Sequence, residues 1–224
     1  MPGDTFIFLT TRPARSIVSI CPGGNSILAC PECYTLRLPE LILASQSPRR
    51  RELLVVAGFH FSIRVKPVEE VRGPGEAPVD YVRRLARAKA EASWERPGEI
   101  VLGADTTVVI DDHVLEKPAD AADAHAMLRL LSGRDHTVIT GICLLHDNGA
   151  IVDHSSTQVR FAPLTDSEIA DYVASGEPMD KAGAYAIQGL ASKFVEKVDG
   201  CYFNVMGLPL SLVYRHWKTL TASE

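Results

Sequence analysis

The chain has 224 residues, with 23 Lys and Arg against 28 Asp and Glu, a formal net charge of −5, and 46% hydrophobic residues. At about 150 residues per domain, this length predicts one large domain or two small ones, able to bury a core without disulfide or metal support. The composition excludes wholesale disorder, no apolar run is long enough to span a bilayer, and the acidic balance disfavours a protein dedicated to duplex DNA or to a membrane surface.

Residues 1–38 differ in pattern from the rest of the chain. They show no clear amphipathic period, and they contain three of the five cysteines, Cys21, Cys30 and Cys33. An odd number of cysteines favours a reducing compartment over a disulfide framework. A structural zinc site is disfavoured, because it normally needs four ligands and this segment has three cysteines. The apolar run before Pro22 is too interrupted for a signal peptide. We therefore expect a cytoplasmic protein with a loosely ordered extension, which a start codon assigned too far upstream would explain.

The first motif after residue 38 combines a strand, a tight loop and a helix. Residues 40–44 form a short apolar run, and Ser47 follows as a good N-cap with Pro48 at the first helical position, where its missing N–H costs nothing. Gly58 is a natural end for this helix. The pattern predicts a strand that delivers the chain directly to a helix N-terminus.

The next elements are a second strand, a long helix and an apolar run that contains one acid. Alternating apolar residues over 59–66 predict a half-buried strand, and a helix is expected from about Val79 to Trp94. Residues 100–110 are apolar except for Asp105 and predict a pair of strands. Alternating strands and helices are typical of an α/β domain.

Turn and cap signals divide the remainder into short elements. They are a helix capped by Asp120 and ending at Gly133, a hairpin at Asp147–Gly149, a capping box at Thr165–Glu168, two strands around Asp199–Gly200 and a last helix from Pro209. No internal repeat or linker divides residues 39–224. The sequence therefore predicts one α/β domain with a mixed sheet, because hairpins accompany the strand–helix units.

Four polar or cationic side chains gather at the predicted N-terminus of the first helix: Ser45, Ser47, Arg49 and Arg50. Free backbone N–H groups and the positive end of the helix dipole favour an anion there. Arginine at this end opposes the dipole, so its presence makes sense if an anion occupies the site. The alternative is a solvated run of arginines on an exposed helix, and this segment alone leaves both interpretations open.

Lys89 and Asp105 are charged residues in apolar patterns. Lys89 follows Val82 by seven residues on the apolar stripe of the long helix, where a lysine either reaches solvent or needs an anionic partner. Asp105, expected at a strand end, suits a metal ligand or a general base. Glu69 and Glu70 could supply a second carboxylate to the same ion, or both could face solvent in a loop.

Lys117 on a turn and Gln188 in a Gly-rich loop carry little information alone, although a Gln amide suits the edge of a base. Together, the cations, the helix N-terminus and the carboxylates match what a magnesium-assisted phosphoryl reaction requires. No Walker-type motif occurs, which disfavours a P-loop ATPase or kinase. Cys143 and Cys201 lie in apolar, strand-like contexts and are interpreted as core residues.

Several motifs in the same order resemble those of one known family. They are Ala44–Arg50, Leu85–Ala90, Gly103–Thr106, Glu116–Pro118, Leu131–Gly133, Asp180–Tyr185, Ile187–Gly189 and Gly207–Pro209. Over about residues 40–217 the chain resembles the Maf family of nucleoside triphosphate pyrophosphatases. The resemblance implies an elongated α/β fold with a twisted mixed sheet and a substrate cleft, similar to the inosine triphosphate pyrophosphatases, and usually a homodimer.

The resemblance also implies a reaction and a set of site residues. The reaction is hydrolysis of a nucleoside triphosphate between the α and β phosphates, giving monophosphate and pyrophosphate, with Mg²⁺ or Mn²⁺ as the cofactor. Asp105 matches the proton acceptor, and Glu70 matches a second acid at the metal. The groups that match the triphosphate-gripping loop and the family's other cations are Ser45, Arg49, Arg50, Lys89 and Lys117.

Two residues indicate a substrate branch within that family. Thr106 and Gln188 resemble the branch that hydrolyses dTTP and UTP, and together with Arg49 they are expected to influence the choice of base. The alternatives are a pyrophosphatase for 7-methyl-GTP or other modified nucleotides, and a nucleotide-binding regulator of septum formation. Neither a nucleic acid polymer nor a membrane is expected as a partner.

Overall fold

The structure is a computed structural model that describes residues 39–222. The expected extension over residues 1–38 and its three cysteines lie outside the described residues. Within the described part, a seven-stranded mixed sheet carries helices on both of its faces. The α/β class that the sequence predicts is therefore confirmed. None of the helices between residues 39 and 222 is both long enough and apolar enough to cross a membrane.

The sheet combines parallel and antiparallel pairs. Its strands are β1 (Glu40–Leu43), β2 (Phe61–Ile63), β3 (Glu99–Ile110), β4 (His113–Leu115), β5 (Asp135–His146), β6 (Gly149–Phe161) and β7 (Val195–Asp199). Their order is β2-β1-β3-β5-β6-β7, and β4 pairs with β3 as well. β1 runs parallel to β2 and β3, and all other pairs are antiparallel. The parallel part of the sheet is thus confined to its N-terminal strands.

Six α-helices and three 3₁₀ turns complete the described part of the chain. The helices are α1 (Pro48–Val56), α2 (Pro78–Ser93), α3 (Ala121–Leu131), α4 (Asp166–Ala174), α5 (Tyr202–Val205) and α6 (Leu210–Thr221), and the turns are Glu177–Asp180, Ala182–Ala184 and Leu190–Phe194. The caps predicted at Ser47, Asp120 and Thr165 each accept a backbone N–H, and Thr165 forms its capping box with Glu168.

The helices form two layers around the sheet. α1 and α6 pack on one face of β1 and β3, and α2 lies on the opposite face. Two glycines let α2 approach the sheet closely: a Cβ added to Gly103 would lie 2.0 Å from the carbonyl oxygen of Ala86, and one added to Gly141 would lie 2.4 Å from that of Val82. The backbone of α2 therefore rests directly on β3 and β5.

A gap in the pairing of β3 creates the opening for the site. β1 pairs with β3 as far as Leu102, and β4 pairs with it only from Val108 onward. Among the described residues, Gly103–Thr107 consequently have no strand partner on this side, although β5 pairs with them on the other. This gap leaves the middle of a central strand accessible from a cleft.

Two strand predictions are wrong in detail. The strand expected over 59–66 is reduced to β2, and Ile63 is 49% exposed because β2 is the edge strand of the sheet and only β1 flanks it. The strand pair expected over 100–110 is one continuous strand, because β5 pairs with it without interruption. Asp105 therefore lies in the middle of β3 and not at a strand end, but the gap beside it gives the access that a strand end would provide.

The second of the two strands expected around Asp199–Gly200 is also wrong, because α5 follows β7. The Thr157 hydroxyl accepts the N–H of Cys201 and donates to its carbonyl oxygen, both at 3.1 Å, which ends the pairing with β6. Cys201 is in consequence partly exposed, whereas Cys143 is fully buried as predicted.

Candidate active site

One cavity of about 670 Å³ lies at the gap beside β3, within the range of volumes that small-molecule sites have. All the site residues predicted from the sequence line it: Ser45, Arg49, Arg50, Glu70, Lys89, Asp105, Thr106, Lys117 and Gln188. Of the two neighbouring acids that the sequence offered, Glu70 faces this cavity and Glu69 lies outside it. Residues far apart in sequence are thus brought to one place, although their individual roles stay predictions.

The loop between β1 and α1 forms one wall of this cavity. The Ser45 hydroxyl accepts the N–H of Ser47 at 3.3 Å, and the Ser47 hydroxyl accepts the N–H of Arg50 at 3.5 Å, so the two serines shape the turn into the helix. Arg49 extends along the cavity, and its Nη1 lies 3.9 Å from Asp180 Oδ2. An anion bound at this helix N-terminus would meet the positive end of the helix dipole and the guanidinium of Arg49.

Arg50 is buried and directs its guanidinium into the protein. Its Nε donates to the carbonyl oxygen of Gly207 at 2.8 Å, and its Nη1 donates to the Ala104 carbonyl at 2.8 Å and to Ser45 Oγ at 3.0 Å. Its Nη2 donates to Thr106 Oγ1 at 3.0 Å. Because a guanidinium carries five N–H groups, only one is left for a ligand.

Lys89 joins the two acids that the sequence proposed. Its Nζ lies 2.7 Å from Asp105 Oδ1 and 2.8 Å from Glu70 Oε1. Lys89 reaches them from α2, which packs closely on β3 because Gly103 has no side chain. The inward lysine therefore has the anionic partners that its position on an apolar stripe requires.

The same ammonium group leaves the two carboxyls with opposite pKa shifts. Burial raises the pKa of Asp105 above its ordinary value, although Lys89 and Arg50 oppose this. Burial also pulls the pKa of Glu70 upward, but Lys89 and Lys117 outweigh it, so this pKa lies below its usual range. When the pKa values of two neighbouring carboxyl groups are shifted in opposite directions, one group commonly transfers protons and the other stays charged.

Sequence reasoning missed a buried tyrosine beside this cluster. Tyr81 lies on α2 two turns before Lys89, and its hydroxyl donates to Glu116 Oε1 at 2.5 Å and also faces the Glu70 carbonyl oxygen at 3.2 Å. Burial and the Glu116 carboxylate raise the pKa of Tyr81. Its spacing from Lys89 on the same apolar stripe is the signal that could have revealed it.

Lys181 is a second cavity residue that the sequence did not single out. Its Nζ donates to the Glu177 carbonyl at 2.7 Å and to Asp180 Oδ1 at 2.5 Å. Gln188 is exposed and faces the cavity from the loop that follows. The segment from Asp180 to Gln188 therefore contributes the polar side chains of Asp180, Lys181 and Gln188 to the cavity.

The donor set of the cavity fits a divalent cation only in part. Within residues 39–222, no cluster of three or more His, Cys, Asp or Glu side chains could hold a metal by itself. Asp105 and Glu70 are two hard oxygen donors that meet at Lys89, and Mg²⁺ is commonly held by one or two carboxylates plus the phosphates of a substrate. The residues present therefore fit a cation that arrives with a phosphate ligand.

Comparisons with known proteins identify the family of this chain. The model of the Maf-like protein family matches residues 40–220. A dTTP/UTP pyrophosphatase of Koribacter versatilis is 55% identical over 176 residues, which cover 78% of this chain and 91% of that protein. Relatives with the same name from Symbiobacterium thermophilum and a Geobacillus species are 52% and 48% identical, and the latter alignment covers 99% of the relative.

The match of the family model covers more than half of the chain and includes the whole of the cleft. Relatives of about half-identical sequence are also matched over nearly their entire length. The chain therefore belongs to the Maf-like protein family.

Proposed function

We propose that this chain hydrolyses dTTP and UTP between the α and β phosphates, releasing the nucleoside monophosphate and pyrophosphate. The observation that carries the proposal is the contact of Lys89 with both Asp105 and Glu70. This contact lies in a cavity that the N-terminal turn of α1 also lines. The names of the relatives, all dTTP/UTP pyrophosphatases, support the same substrate class.

In this proposal Asp105 is the general base. Hydrolysis adds one water across the phosphoanhydride bond, and the proton that the attacking water loses passes to the Asp105 carboxylate. Burial raises the pKa of Asp105 and so makes this carboxylate a stronger base than an exposed one. Lys89 holds Asp105 in place through Oδ1, at 2.7 Å.

The cationic groups of the cavity balance the charge of the triphosphate. Ser45, Arg49 and Lys117 line the cavity, and the positive end of the α1 dipole lies at the same loop. Arg50 supports the loop from behind, since four of its N–H groups bond within the protein. Developing charge on the leaving pyrophosphate would be stabilised by these fixed groups.

A divalent cation, Mg²⁺ or Mn²⁺, forms part of the proposal. Glu70 and Asp105 are the residues that would hold it, and the cation would neutralise phosphate charge when it is bound. Glu70 suits this role because Lys89 and Lys117 keep its pKa low, so it stays ionised at neutral pH.

Base choice is assigned first to Gln188. Its side chain is exposed in the cavity and presents an amide that can both donate to and accept from the edge of a pyrimidine. Arg49 and Thr106 complete the set that the resemblance gives for this choice. A homodimer and a cytoplasmic location are the remaining parts of the proposal, and light scattering on the purified chain tests the first.

A panel of nucleotides tests the proposed reaction. The protein is incubated with dTTP, UTP, dCTP, dGTP and 7-methyl-GTP in the presence of Mg²⁺, and the products are separated by ion exchange. We expect dTMP and UMP with pyrophosphate, at rates well above those for the purine nucleotides. Nucleoside diphosphate with orthophosphate would contradict the proposal, and turnover of 7-methyl-GTP alone would favour the other branch. Binding without turnover of any nucleotide would favour a regulatory role.

A further inference from the structure

A directed chain of hydrogen bonds runs from α1 to α5. Arg50 Nη2 donates to Thr106 Oγ1 at 3.0 Å, the hydroxyls of Thr106 and Thr140 are 3.0 Å apart, and Thr140 Oγ1 donates to the Asn204 carbonyl at 3.1 Å. A guanidinium only donates and a carbonyl only accepts. Thr106 must therefore accept from Arg50 and donate onward to Thr140, the nearer of its two acceptors, since the Gly207 carbonyl is 3.5 Å away.

Both ends of the segment Asn204–Gly207 are held by this chain. The Asn204 carbonyl accepts the N–H of Gly207 at 2.9 Å in addition to the Thr140 hydroxyl, and the Gly207 carbonyl accepts Arg50 Nε at 2.8 Å. The Asn204 side chain adds a further anchor, because its Nδ2 donates to the Val138 carbonyl at 2.9 Å. The segment is thus bonded to α1, β3 and β5 through buried groups.

The two residues between these anchors form part of the cavity. Val205 and Met206 line it together with Val108 and Val138, and these four side chains are apolar. A nucleotide presents a charged triphosphate and a flat, largely apolar base. The cationic side chains of the cavity suit the phosphates, so its apolar side chains are the part that suits the base.

We propose that Thr140, through Asn204, is a positioning residue that sets the Val205–Met206 surface against which the nucleoside lies. Thr140 touches no ligand, since it is completely buried in β5. Arg50 and Thr106 belong to the same chain, and their polar groups act mainly inside the protein. The inference rests on the proposed function for the identity of the ligand, and it assigns a role to Thr140 that no motif in the sequence indicated.

Two substitutions at position 140 separate hydrogen bonding from packing. Thr140→Val keeps the shape of the side chain but removes the hydroxyl, whereas Thr140→Ser keeps the hydroxyl and removes a methyl group. If the hydrogen bond to Asn204 positions the surface, Thr140→Val is the more damaging change. If Thr140 only fills space, Thr140→Ser is the more damaging one.

The test measures KM and kcat for dTTP, and the Kd of α,β-methylene-dTTP by calorimetry. Loss of one buried hydrogen bond predicts that Thr140→Val raises KM and Kd about 3- to 10-fold and leaves kcat within about threefold. Thr140→Ser should restore both constants to within about twofold of the wild-type protein. Thr137→Val is the matched control, because Thr137 lies on the other face of β5 and should leave KM and Kd unchanged.

The outcomes distinguish the positioning role of Thr140 from the proposed hydrolysis of dTTP. Equal constants for Thr140→Val and the wild-type protein, or a larger defect in Thr140→Ser, would overturn the positioning role while the hydrolysis of dTTP stands. If the wild-type protein does not turn over dTTP, the proposed reaction fails, and the Kd comparison still decides the role of Thr140. Absence of any binding of α,β-methylene-dTTP to the wild-type protein would overturn both.

Discussion

Lys89 contacts two carboxyl groups whose pKa values are shifted in opposite directions. Asp105 is almost fully buried, whereas the Glu70 side chain is 48% exposed, and both lie within 2.8 Å of the same ammonium group. Desolvation therefore dominates at Asp105 and raises its pKa, while the cations prevail at Glu70 and lower its pKa. This difference is the physical reason to give Asp105 the proton-accepting role and Glu70 the charged one.

Replacement of the proposed base gives the first prediction. Asp105→Asn keeps the size of the side chain but removes its basicity, so kcat for dTTP should fall about 100-fold or more, the scale of general-base loss. Steady-state kinetics check this result. Asp153→Asn is the matched control, because Asp153 bonds with His216 outside the cavity and should leave kcat unchanged. Activity of Asp105→Asn near that of the wild-type protein would remove Asp105 from its role.

A buried histidine gives the second prediction, which concerns stability. The Nε2 of His136 lies 2.8 Å from the Tyr185 hydroxyl, and burial lowers the pKa of His136 from 6.5 to about 4. Between these two pH values the unfolded chain binds a proton that the native protein does not. The free energy of unfolding therefore falls as the pH is lowered through this range, by at most about 3 kcal/mol from this group.

Urea unfolding between pH 4.5 and 7.5 checks the sign of this dependence. His136→Gln retains a polar group but cannot titrate, so its stability should depend less on pH than that of the wild-type protein. His113→Gln, at an exposed position, should retain the wild-type dependence. Parallel curves for the wild-type protein and His136→Gln would show that His136 is not the group responsible.

At the scale of elements, α2 delivers Lys89 to β3 because two glycines allow the helix to rest on the sheet. Gly103 on β3 and Gly141 on β5, which pair with Cys143 and Asp105, lie beneath consecutive turns of α2. A side chain at either position would have to occupy the place of a helix carbonyl. The short distance between Lys89 and Asp105 therefore requires glycine at both positions, since any Cβ there would push α2 away from the sheet.

A single methyl group at this contact gives the third prediction. Gly103→Ala would place a Cβ 2.0 Å from the Ala86 carbonyl oxygen, so α2 must move. Overpacking of this kind should lower the free energy of unfolding by about 1–3 kcal/mol, and the displaced Lys89 should reduce kcat. Thermal unfolding and kinetics measure the two effects. Gly73→Ala is the control, because its Cβ would lie no closer than 3.6 Å to any neighbour and should change neither quantity.

Elements with local signals could be predicted from the sequence, and those fixed by distant contacts could not. Ser47, Asp120 and Thr165 cap helices through groups within three residues, so their caps could be read directly. The element after Gly200 is decided by the Thr157 hydroxyl, which is more than 40 residues away and leaves no local trace. Likewise, nothing near Ile63 indicates that its strand lies at the edge of the sheet.

The same distinction holds for the site. Lys89 and Asp105 could be predicted because charged side chains in apolar patterns are rare without a reason, whereas Lys117 and Gln188 followed only from the resemblance to the family. The directions of the cavity side chains could not be predicted, since Arg50 belongs by sequence to an anion site but bonds mainly to Ser45, Ala104, Thr106 and Gly207. Tyr81 was missed because a tyrosine in an apolar stripe is ordinarily a core residue.

At the scale of the whole molecule, the cleft joins segments from nearly the full length of the described chain. Its lining runs from Ala44 in the first loop to Gly207 before the last helix. A ligand held by all of these segments binds the native protein and not the unfolded chain, so it should stabilise the domain as a unit. The net charge of −5 conceals this feature, because cations concentrate in the cleft.

Ligand-linked stability gives the fourth prediction. At 100 times its Kd, α,β-methylene-dTTP should add about 2.7 kcal/mol to the free energy of unfolding. For a domain of this size, that corresponds to an increase in Tm of roughly 5–10 °C. Scanning calorimetry measures the shift in Tm. Thymidine at the same concentration, which lacks the phosphates, should give a much smaller shift. Equal shifts for the two ligands would contradict a cleft that recognises a triphosphate.

The alternation of β3 places strict limits on changes in its length. Asp105 faces Lys89 on one side of the sheet, and Thr106 faces Arg50 on the other. Insertion of one residue between Gly103 and Asp105 would move the carboxylate to the face of Arg50 and the Thr106 hydroxyl to the opposite face. Both contacts would be lost although neither residue had been replaced. The spacing within β3 is therefore fixed by the chemistry on its two sides.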